Sequence, residues 1–184
     1  MRTIKLAVFI GVACLLGGAR AEAAPILLGQ VVQVTYLFPN TSTVFAGPTN
    51  VTVGPGVELT NFANFANIDI SDTNILITIT RDAQVNNVAF DGFKFFDILG
   101  TIPDNLMAVL NPATNYAGFT QSRLAGGDVN TLLVNVEGLS GLRGQMISID
   151  IVPTSVPEPA SMLLLGAGIA GMGARRWRAR RKLT

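Results

Sequence analysis

Apolar and polar residues alternate through most of the middle of the chain. In 74–80, Ile75, Ile77 and Ile79 fall on one side and Leu76, Thr78 and Thr80 on the other. A period of two is that of a strand with one face turned to a core. Segment 131–137 repeats it through Leu132, Val134 and Val136. Segment 145–152 places Ile147, Ile149 and Ile151 inward and Ser148 and Asp150 outward. Segment 30–38 is rich in β-branched and aromatic residues, which favour a pleated, half-buried surface. Shorter runs at 50–53, 57–60, 66–70, 87–97, 105–110 and 119–124 add further strands. Turn signals separate them: Ala46-Gly47-Pro48, Gly54-Pro55-Gly56, Asp91-Gly92, Asn111-Pro112 and Gly126-Gly127-Asp128. No long stretch carries the 3.6-residue period of a helix. Short strands spaced by about ten residues predict a mainly β protein, a single antiparallel β-sandwich of jelly-roll or Ig-like kind.

The two ends have a different pattern. Met1-Arg2-Thr3-Ile4-Lys5 is a basic start, Leu6 to about Leu16 is apolar, and Ala19, Ala21 and Ala23 supply small residues. This is the layout of a secretory signal peptide over 1–23, helical through its apolar part and removed near Ala23. Cys14, the only cysteine, lies inside the apolar run, so the mature chain has none. An exported body without disulfides must rely on its core.

At the other end Val156-Pro157-Glu158-Pro159 is stiff and extended, because each proline fixes its own φ and disfavours helix in the residue before it. An uncharged run follows, with Leu163, Leu164, Leu165 and Ile169 as its bulky residues. Its 15 residues, Ala160 to Ala174, would make a short helix of about 22 Å against a hydrocarbon core of roughly 30 Å. Arg175, Arg176, Arg178, Arg180, Arg181 and Lys182 close the chain and should hold the tail on the cytoplasmic side as a stop-transfer segment. The order, spacing and terminal position of these three parts resemble the PEP-CTERM sorting signal of Gram-negative bacteria. The resemblance covers about 156–182 and implies that Pro157, Glu158 and Pro159 are recognised by an exosortase, a membrane transpeptidase-like enzyme. That enzyme would cut near the motif and release or transfer the body, so these three residues have no catalytic role. The same tail is also called an ice-binding protein C-terminal domain, a name that describes the tail and not the body.

Charge separates the parts further. The whole chain is +1, but residues 24–156 hold four basic and ten acidic side chains, a net −6. An acidic body argues against nucleic acid as a partner, because phosphate contacts need clustered Lys and Arg. Histidine is absent, which removes Ser-His-Asp and Cys-His catalysis and His-ligated metals. Carboxylates remain, but Asp82, Asp104 and Asp128 stand in turn contexts, where aspartate caps local backbone donors. Asp69, Asp72 and Asn74 bring three oxygen-bearing side chains together in sequence as calcium candidates, without EF-hand spacing. No metal site or cofactor is assigned on that basis. Phe90, Phe93, Phe95 and Phe96 read as core and not as a sugar platform.

The expectation is a signal peptide over 1–23, a β body over 24–155 and a sorting signal over 156–184. The protein is expected not to be an enzyme. Its processing partners are signal peptidase and an exosortase. It crosses the inner membrane in transit and ends at the cell surface or in the extracellular polymeric matrix, with a structural or adhesive role. The alternative is a carbohydrate-binding module whose partner is extracellular polysaccharide. A secreted hydrolase and a plain membrane-anchored ectodomain rank below it.

Overall fold

The structure, a computed structural model, describes residues 25–102, 104–126 and 130–154. The expected signal helix and C-terminal apolar helix lie outside these residues. Among the described residues twelve strands form, in the order β1 (Val31–Leu37), β2 (Val44–Thr52), β3 (Val57–Phe62), β4 (Ala66–Ile70), β5 (Asn74–Ile79), β6 (Ala83–Gln84), β7 (Gly92–Asp97), β8 (Leu106–Leu110), β9 (Leu124–Ala125), β10 (Thr131–Asn135), β11 (Ser140–Gly141) and β12 (Met146–Pro153). One 3-10 turn, Gln121–Arg123, precedes β9. All pairings are antiparallel, in a sheet ordered β2-β1-β7-β10-β9, a second ordered β3-β4-β5-β12-β8, and a small β11-β6 ribbon. Among the described residues the protein is thus mainly β with almost no helix.

Alternation in the sequence becomes burial. Ile75, Ile77 and Ile79 of β5, and Ile147, Ile149 and Ile151 of β12, join Ile68 and Ile70 of β4 in the core. The other five-stranded sheet supplies Val32, Val34 and Tyr36 of β1, Phe93 and Phe95 of β7 and Val134 of β10 to the same cluster. Phe90, Phe93 and Phe95 are buried, as a core assignment requires. Phe96 is on the other side of β7, where the Lys94 ammonium stands 5.2 Å from its ring centre. Ser148 is an outward residue that is nonetheless buried, because segment 111–116 lies along β12 there and Thr114 bonds its backbone.

Several boundaries differ from the sequence reading. Ala46-Gly47-Pro48 is not a turn between strands but lies inside β2, where the pairing with β1 shifts register. Gly47 takes φ +83°, and a Cβ there would sit 2.7 Å from the Val34 carbonyl oxygen, so the bulge requires glycine. Pro48 is tolerated because β2 is an edge strand. Asp91-Gly92 is likewise not a free turn: β7 begins at Gly92, and a side chain there would overlap the Val134 carbonyl of β10. The expected strand 119–124 has the 3-10 turn over Gln121–Arg123, and only Leu124 of it is in a strand. Gln121 explains why: its amide accepts from Leu110 N–H at 2.6 Å and donates to the Ala108 carbonyl at 3.0 Å. That side chain takes the place of a backbone neighbour on the open edge of β8.

The register gives the body two poles. One carries 25–30, 53–57, 70–74, 98–106 and 151–154, through pairs such as Val31 with Thr52, Ile70 with Ile75 and Leu106 with Pro153. The other carries the turns after β1, β3, β5 and β10, tied by the β6–β11 ribbon.

Candidate functional site

Both ends of the described body leave from the same pole. On the N-terminal side the backbone N–H groups of Ile26, Leu27 and Leu28 all donate to Asp72 Oδ1, at 2.7, 3.0 and 3.0 Å. These bonds hold the Asp72 carboxyl below the usual carboxylate range, against an opposing effect of partial burial. On the C-terminal side Thr154 donates its N–H and its hydroxyl to the Asn105 carbonyl, at 2.6 and 2.9 Å. Ile151 N–H donates to the Thr73 carbonyl at 2.8 Å, so strand β12 ends beside the loop that clamps the N-terminal segment. Pro157, Glu158 and Pro159 follow Thr154 by only a few residues in sequence. They lie outside the described residues, as do Leu163, Leu164, Leu165 and Ile169 and the basic tail from Arg175 to Lys182. Among the described residues no helix is long and apolar enough to cross a membrane.

The three calcium candidates are placed separately. Asp72 serves the N-terminal clamp. Asn74 Nδ2 donates to Ser148 Oγ at 2.9 Å and to Asp150 Oδ1 at 2.8 Å, joining β5 to β12. Asp69 pairs with Leu76 across β4 and β5, and burial, with Glu58 nearby, raises its pKa. Among the described residues no three acids, cysteines or histidines converge on a point a metal ion would occupy.

A cleft of about 420 Å³ opens between the sheets near the terminal pole. Val32 and Phe95 form one wall and Ile70, Ile75 and Ile151 the other. Asp97 lines it, but its two carboxylate oxygens accept from Leu99 N–H at 3.1 Å and Ile102 N–H at 2.8 Å, so it braces the loop after β7. Asn130, at the cleft's margin, keeps a buried Oδ1 without a partner.

The sequence reading missed a buried polar pair at the other pole. Tyr36 donates its hydroxyl to Asp91 Oδ1 at 2.5 Å. Burial drives the tyrosine pKa far upward, and its bond to the Asp91 carboxylate adds to this. Burial also raises the pKa of Asp91, partly offset by the bonds from Tyr36 and the Asn86 backbone. Only distance in sequence hid the pair: 55 residues separate the partners.

Comparison with protein families matches residues 155–181 to the PEP-CTERM protein-sorting motif. No curated protein and no solved structure matches the chain. Residues 155–181 therefore carry a PEP-CTERM protein-sorting motif, directly beyond the last described strand in sequence, and this motif implies an exported, exosortase-targeted protein.

Proposed function

We propose that the protein is a non-enzymatic component of the cell surface or extracellular matrix, delivered there after its signal peptide and its sorting tail are removed. The body is then a two-sheet sandwich of jelly-roll or Ig-like kind, consistent with one buried cluster drawn from both sheets. The observation that carries the reading is the sorting motif, with both chain ends leaving from one pole. An apolar segment at each end would hold that pole toward the membrane and turn the other outward. Cutting at both ends then frees the body without breaking any strand. The partners are signal peptidase and the exosortase.

Glu158→Ala tests the motif. Export should continue while the tail is retained, read as a membrane-bound protein heavier by the uncut segment. Normal release of this variant would count against recognition through Pro-Glu-Pro.

A second reading is carbohydrate binding by the body. It is favoured by one observation: the outward pole carries a ring-lined cleft with Phe45 61% exposed.

A further inference from the structure

The outward pole holds a cleft of about 180 Å³. Tyr36 and Phe38 at the end of β1, Phe45 of β2 and Phe65 beside β4 form its aromatic side, with Arg81 and Asp91 on its polar side. The Phe45 ring is held edge-on by Tyr36, centroids 6.0 Å apart at 70°, and by Phe38, 6.2 Å apart at 81°. Phe45 is therefore oriented by its neighbours yet left in water, an arrangement that adds little to the core. Asp91 is only 4% exposed, and its carboxylate is fixed by the Tyr36 hydroxyl and by the Asn86 N–H. A carboxylate accepts about four hydrogen bonds, so two remain for a donor entering the cleft. Ala63, on the cleft wall, takes φ +52°, between Asn61 at +51° and Asn64 at +66°. Left-handed backbone at a non-glycine residue is a form of strain that collects at ligand clamps.

Size and chemistry restrict what fits. Pockets for drug-sized ligands run from about 300 Å³ upward, so this one takes a single ring. A stable protein interface needs about 1,200 Å² of buried surface, far more than this cleft offers. An alkyl chain would cover the exposed Arg81 guanidinium and leave the two remaining acceptor positions of Asp91 unused, at a cost in desolvation. A pyranose ring has an apolar C–H face for Phe45 and a hydroxyl edge for Asp91, Arg81 and the amides of Gln84 and Asn86. The net −6 of residues 24–156 disfavours an anionic sugar.

We propose that this cleft binds one neutral hexopyranosyl unit of a polysaccharide, stacked on Phe45 and hydrogen-bonded by Asp91 and Arg81. The inference rests on the carbohydrate-binding reading above and names its site and ligand class.

The test is an NMR titration of the full chain in detergent micelles with the methyl glycosides of glucose, mannose and galactose, each alone. At least one should shift the Tyr36 and Phe45 ring signals saturably, with a dissociation constant of about 1 mM, the usual strength of a contact worth a few kcal/mol. Phe45→Ala should weaken that binding by about tenfold or more, and Arg81→Ala severalfold, as expected where a few side chains carry most of the affinity. Both side chains are exposed, so the fold should persist, checked by unchanged core methyl signals. No saturable shift with any of the three sugars, or undiminished binding by Phe45→Ala, overturns the proposal. Tighter binding of methyl glucuronide than of all three neutral glycosides overturns its neutral character. Processing of the same variants in the host is scored separately, so a lost cleft and a failed sorting reading give different results.

Discussion

Asp72 shows how one side chain can join a terminus to a sheet. One oxygen of its carboxylate accepts three consecutive backbone donors, from Ile26 to Leu28. Because these bonds favour the ionised form, the folded pKa lies below the unfolded value of 3.8. The stability they give is therefore present above pH 3.8 and is lost as pH falls through the lower, folded pKa. Asp72→Asn should lower the melting temperature at pH 7, and the gap from the parent should close on acidification below that value. A gap of constant size between pH 7 and pH 2 would show that the charge is not what holds the segment. At this scale the sequence was a poor guide. Asp72 and Asn74 were legible as oxygen donors, but their targets, residues 26–28 and Asp150, lie far along the chain. The Tyr36–Asp91 bond was hidden for the same reason, since periodicity reports which face a residue occupies and not what stands opposite.

Strands with strict alternation were legible, because a buried face imposes the period-two pattern directly. β5 and β10 lie within the segments expected for them and β12 runs one residue past its own, to Pro153, with the anticipated isoleucines and valines inward. Elements that serve the joins were not legible. β6 and β11 have two residues each, too few to show a period. Within β2, glycine and proline read as a break, although an edge strand can absorb both at a bulge. Gly92 carries the sharpest element-scale prediction. Its missing side chain lets β7 approach the Val134 carbonyl of β10, so the pairing of two central strands depends on it. Gly92→Ala should destabilise the body by about 1–3 kcal/mol, the usual cost of overpacking, measured by urea unfolding. An unchanged unfolding midpoint would mean that β7 and β10 can separate there without loss.

At the scale of the whole molecule, charge and topology agree with the sorting tail. The acidic body lies between a basic start and a tail with six positive charges, which places opposite demands on the two sides of a membrane. The fold brings residues 26–28 and Thr154 to one pole, leaving the Phe45 cleft on the other. The tail could be recognised in the sequence because its signal is local: three short parts in fixed order, within the 27 residues from 155 to 181. The cleft proposed for a sugar ring is gathered from β1, β2 and the loops before β7, a grouping that no local pattern records. The central claim is that the chain is cut at both ends and its body delivered outside the cell. The most direct measurement is the intact mass of the protein recovered from the medium, surface and membrane fractions of its host. The account predicts a surface or medium species that has lost both the segment before Ala24 and the tail beyond the Pro157–Pro159 region. A protein found only in the membrane fraction, with its mass still including Arg175 to Lys182, would contradict it.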